Sequence, residues 1–87
     1  MNMSELFVIC EVDSVLYAIA ASTVVVLDSY TAAVRVPGTA EHVVGLVLVR
    51  GMHLPVIDLR VRFGLPQVPV TMEHRIIVVS CGERRVA

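Results

Sequence analysis

Short apolar runs alternate with turn residues along this chain, at a spacing suited to strands. Phe7 to Val12 is apolar except at Glu11. Period-two alternation places Phe7, Ile9 and Glu11 on one face and Val8, Cys10 and Val12 on the other. Asp13-Ser14 predicts a tight turn into a second strand, Val15 to Ile19, and hence a hairpin. Ala20 to Thr23 predicts one helical turn before a third extended run, Val24 to Leu27, interrupted by Asp28-Ser29-Tyr30-Thr31. In that run Val24 and Val26 share one face and Val25 takes the other. The pair Pro37-Gly38 marks a loop, and Thr39 is the expected N-cap of a short turn through His42.

The most apolar stretch, Val43 to Val49, is followed by Arg50-Gly51 and a second apolar run, His53 to Ile57. This pattern predicts another hairpin, with Gly51 supplying the positive φ of its turn. Gly45, inside the first of these strands, predicts a bulge or a close backbone approach. Pro55 has no backbone donor and belongs at an edge or a bulge. Asp58 is the expected N-cap of one helical turn, Leu59 to Phe63, closed by Gly64 and stopped by Pro66. Positions 67–73 read as a loop, Arg75 to Cys81 as a strand, and Glu83 to Ala87 as the start of another. Five or six short strands with turn signals between them indicate an all-β sandwich or a small antiparallel barrel with one or two helical turns.

Composition narrows the class. The 87 residues are 56% hydrophobic and 17% charged, against ~45–50% and ~25% in ordinary soluble domains. Disorder is excluded, and the length fits a single domain over residues 1–87. The net charge of −1 comes from 7 basic residues, all Arg, and 8 acidic ones. It offers no footprint for nucleic acid or an anionic membrane. The longest uncharged stretch, Ser14 to Leu27, falls short of the ~20 apolar residues of a membrane span. Glu5 stands where a secretory signal would carry positive charge, and two cysteines are too few for a disulfide framework, so a cytoplasmic location is expected.

Candidate chemistry is sparse. No two of Cys10, Cys81, His42, His53 and His74 have the close spacing of a ligand pair, so no metal is expected. Buried strand cysteines are usually inert. Paired carboxylates, a glycine-rich phosphate loop and a Ser-His-Asp order are lacking in any convincing form, so neither an enzyme nor a cofactor is expected.

The stretch from Val43 to Pro66 resembles the core of the CheW-like family of chemotaxis coupling domains. Its matching positions are Gly45, Arg50, Gly51, Pro55, Val56, Ile57, Asp58, Leu59, Arg60, Arg62, Phe63 and Gly64. Phe7-Val8-Ile9, Tyr17-Ala18-Ile19, Val24 with Leu27, and the closing Arg75 to Val79 and Gly82 to Ala87 segments are similar to neighbouring strands of that family. Departures are Leu48, where the family usually has Asn, and Val26, where Glu is common. Family members are usually longer and fold as two linked five-stranded barrels, of which this sequence matches the first. The resemblance leaves open a truncated member or one that borrows strands from a partner chain.

The resemblance implies a non-catalytic adaptor that couples chemoreceptors to a histidine kinase in two-component signalling. Its barrel surfaces would dock on the kinase's regulatory domain, and receptor tips would pack into an apolar groove between barrels. The partner-facing candidates it implies are Val24, Val26, Gly45, Arg50 and Gly51. Arg50 at a hairpin tip suits paired hydrogen bonds to a carboxylate. Both Arg50→Ala and Val26→Lys are expected to weaken docking by about 1–2 kcal/mol or more. Asp58, Arg60 and Arg62 read as a cap with a solvated face. The second reading is a half-domain that only self-associates through its open strand edges, forming a homo-oligomer without a signalling partner.

Overall fold

The computed structural model describes residues 6–30, 33–69, 71 and 73–87. The N-terminal segment 1–5, Thr31, and positions 70 and 72 of the expected loop lie outside them. Strands β1 (Phe7–Val12) and β2 (Val15–Ala20) form an antiparallel hairpin. Its turn residues Asp13 and Ser14 both have positive φ, 52° and 65°, as a two-residue turn matched to the strand twist requires. A single 3-10 turn, Ala21–Thr23, leads into β3 (Val24–Ser29). Next come β4 (Val43–Val49), β5 (Met52–Ile57), helix α1 (Leu59–Arg62), β6 (Arg75–Cys81) and β7 (Arg84–Val86).

The all-β antiparallel barrel expected from the sequence is the architecture, and it is built from β3 to β7. One sheet has the order β3-β6-β7, and another is the β4–β5 hairpin. Backbone bonds join the two sheets at one end and tie the segment after β3 to β4 at the other. Ala87 N donates to Pro55 O (2.9 Å) and Ile57 N to Ala87 O (2.8 Å). On the other side Val34 and Leu46 exchange bonds of 2.7 and 2.8 Å. Because Leu46 turns its polar groups toward Val34, its partner Pro55 turns its nitrogen away from β4, where no donor is needed.

The core comprises Val26, Val47, Val49, Leu54, Val56, Ile76 and Val78, all from β3 to β6. Val78 is fully buried. The β1–β2 hairpin contributes no side chain to this core and stands outside the barrel.

Asp58 caps α1 as expected, its Oδ1 accepting from Arg60 N (2.9 Å) and Val61 N (3.4 Å). Asp58→Ala should lower stability by about 1 kcal/mol, read as a lower urea midpoint with unchanged slope. Thr39 caps no helix. Its hydroxyl donates to Val36 O (3.0 Å) instead of accepting from an amide, so it closes the loop after Pro37-Gly38.

Candidate functional site

The β4–β5 hairpin carries the site. Its turn is Arg50-Gly51, with φ values of 47° and 79°, between the paired residues Val49 and Met52. Two left-handed residues in succession favour Asn-Gly or Gly-Gly, so an arginine at the first position is conformationally costly. Arg50 is exposed, and among the described residues it has no hydrogen-bond or ion-pair partner. A second cation lies beside the tip, where Arg85 Nη1 sits 3.3 Å from the sulfur of Met52.

Along β4 the side chains divide cleanly. Val47 and Val49 enter the core, whereas Leu46 and Leu48 point outward, Leu48 at 60% exposure. Cross-strand neighbours Pro55 and His53 flank them on β5. Val34, bridged to Leu46 and 71% exposed, extends the same stripe. The result is an apolar outer face ending in an unpaired guanidinium.

Two of the five expected partner-facing residues are buried within the domain. Val26 is 7% exposed and belongs to the core. Gly45 is buried, with φ +151°, and a Cβ there would overlap Val34 O. Its role is the close approach of the Val34 segment to β4, accompanied by a register shift between Val43 and Gly45. Arg50 and Gly51 form the exposed tip, and Val24 is half-buried beside a register shift in β3. Val25 and Leu27 point outward on β3 and Val24 and Val26 inward, the two-face alternation read from the sequence, with the face that the resemblance implied to be partner-facing turned to the core.

The stripe of Val34, Leu46 and Leu48 escaped the sequence reading. A run apolar on both faces reads as a strand covered on both, and nothing in Val43 to Val49 tells which side stays open. Arg60 bonds Asp13 Oδ1 (3.3 Å) and Pro66 O (3.0 Å), which gives it a local tethering role. Among the described residues no three His, Cys, Asp or Glu side chains gather as a metal site.

The family model for the CheW-like domain matches residues 6–87. The chain belongs to the CheW-like family. This CheW-like domain is 39% identical over 64 residues to the chemotaxis protein CheW of Bacillus subtilis (strain 168), covering 74% of the chain and 41% of that protein. It is also similar to the crystal structure of the scaffolding protein TtCheW from Thermoanaerobacter tengcongensis. That match has a TM-score of 0.86 at 27% identity and covers 97% of this chain and 57% of the other. The CheW-like domain described here thus spans about half the length of the relatives it matches.

Proposed function

We propose that this domain is a non-catalytic adaptor of chemotaxis-type two-component signalling, coupling the cytoplasmic tips of chemoreceptors to the regulatory domain of a histidine kinase. The outer face of β4 and β5 docks the partner, and Arg50 with Gly51 fixes its register. Val24 adds contact from β3, and the complex assembles in the cytoplasm. The observation that carries this reading is the apolar stripe of Val34, Leu46 and Leu48 left open beside an unpaired Arg50. Contiguous exposed apolar surface rimmed by charge is typical of interaction sites. Support comes from the family membership and from the relatives' description as a chemotaxis protein and a scaffolding protein. Among the described residues no helix is long and apolar enough to cross a membrane.

Desolvated arginines are frequent energetic anchors of interfaces. A guanidinium bound in fork geometry to a partner carboxylate is not replaced by a short amide. Arg50→Asn should therefore weaken binding to a purified kinase regulatory domain by about 1–2 kcal/mol or more, roughly fivefold to thirtyfold in Kd. The same substitution relieves the left-handed turn, so the melting temperature should stay constant or rise. Calorimetric titration beside a thermal melt reads both. Unchanged affinity for both Arg50→Asn and Leu48→Asp would rule out docking through this face.

A further inference from the structure

Strand β7 runs beside β5 in the same direction. Ala87 N donates to Pro55 O and Ala87 O accepts from Ile57 N, the bonding of a parallel pair with Ala87 opposite Val56. Ala87 accordingly packs against the core to which Val56 belongs. Counting back two residues on each strand sets Arg85 level with Leu54 and on the same inward face. The β6–β7 turn, Gly82-Glu83, therefore lies at the same end of the barrel as the Arg50-Gly51 turn.

An inward-facing arginine at a barrel end lays its stem over the opening and keeps its charged head in water. Arg85 is exposed, stands across from Ser80, and directs Nη1 at the sulfur of Met52, 3.3 Å away. A thioether is a weak acceptor, so this contact orients the guanidinium without neutralising it. Met52 packs against the core and lies two residues after Arg50, so their Cα atoms are at most ~7.6 Å apart. Two guanidiniums thus share one end of the barrel, and the exposed Arg84 stands next to them. Among the described residues none of the three has an ion-pair partner, and Glu83, exposed in the turn, bonds none of them.

The chain as a whole carries a net charge of −1, so this positive end is a local concentration of charge and not a general excess of base. Like charges gathered without counter-charges raise the local potential and attract an anionic group. Planar guanidinium forks match carboxylates, which accept two parallel bonds from each. We propose that Arg85 is a second anchor of the docking face and that, together with Arg50, it grips an acidic segment of the docked partner. Each guanidinium takes one carboxylate of that segment, while Leu46 and Leu48 supply the apolar contact. A partner with Lys or Arg at this place is rejected by like charge, so the barrel end selects as well as binds. This inference rests on the docking reading above and adds to it the chemistry of the partner.

The test titrates the purified kinase regulatory domain into the wild-type protein and its Arg85→Gln variant over a range of salt concentrations. Arg85→Gln should raise Kd about fivefold or more and flatten the salt dependence, with an unchanged melting temperature. Arg85→Lys keeps the charge and should restore the salt dependence. Because both arginines hold one segment, the loss in the Arg50→Asn, Arg85→Gln double variant should be smaller than the product of the single losses. Wild-type affinity and salt dependence for Arg85→Gln, with binding still lost in Leu48→Asp, would overturn this inference and leave the docking face standing. A combined loss equal to the product would assign the two arginines to separate contacts and would also overturn it. Wild-type affinity for both Arg50→Asn and Leu48→Asp would overturn the docking reading itself.

Discussion

Gly45→Ala is expected to destabilise the barrel by roughly 3–5 kcal/mol, the sum of a strained backbone and an overpacked contact. With φ at +151°, an L-residue is strained before any neighbour is considered. The added methyl would then collide with Val34 O. That oxygen is not free to retreat, because it accepts from Leu46 N at 2.8 Å and holds the seam between Val34 and β4. A chain of this length has about 4–13 kcal/mol of total stability, so this one methyl removes a large share. Urea unfolding should show a much lower midpoint with little change in slope. A variant with wild-type stability and impaired docking would restore Gly45 to the contact surface and contradict its assignment to the seam.

Val26→Lys is expected to cost on the order of 4 kcal/mol, through folding and not through a lost partner. Val26 packs in the core formed by Val47, Val49, Leu54, Val56, Ile76 and Val78, and among the described residues that core holds no polar or charged side chain. An ammonium placed there finds no carboxylate, so burial depresses its pKa below the ~10.4 of the unfolded chain. The unfolded state then binds more protons than the folded one at neutral pH. Stability of the variant should therefore rise as pH climbs from neutrality toward 10, relative to the wild-type protein. Denaturation at several pH values reads this directly. A stable Val26→Lys protein with selectively weakened kinase binding would contradict the burial of this position.

Much of this architecture is legible in local chemistry. Arg50-Gly51 and Asp13-Ser14 specify their turns, since a two-residue hairpin loop tolerates few other dihedral angles. Asp58 specifies the start of α1 through its cap, and Gly45 signals the close approach that the Val34 seam makes. Properties set by distant parts of the chain are not legible in this way. The register shift between Val24 and Val26 depends on pairing with Val78 and Val79, far along the sequence, and alternation alone does not tell which face of β3 the core covers. Thr39 has the chemistry of a cap, but its hydroxyl donates to Val36 O because the loop after Pro37 brings that carbonyl within reach. Alternation in β1 and β2 is clear, yet it cannot tell whether the hairpin joins the barrel. The same ambiguity hides the open face of β4, where Leu46 and Leu48 are as apolar as the buried Val47 and Val49.

These failures share a cause with the proposed functions. Strands apolar on both sides recur in β1, β4 and β6, and in each the second side faces solvent or the cleft between hairpin and barrel. Surplus apolar surface of this kind is costly for an isolated domain, because exposed edges and patches invite unwanted association. It fits a module whose open faces are covered by further protein, the β4–β5 tip by the docked partner.

The most direct measurement of the docking claim is amide chemical-shift mapping of the labelled domain titrated with the kinase regulatory domain. The expected perturbations centre on residues 46, 48, 50, 51 and 53, and for Arg50→Asn they need roughly fivefold to thirtyfold more kinase domain to reach the same size. Perturbations confined to residues 7–20, or an Arg50→Asn spectrum that responds like the wild type, would contradict the account.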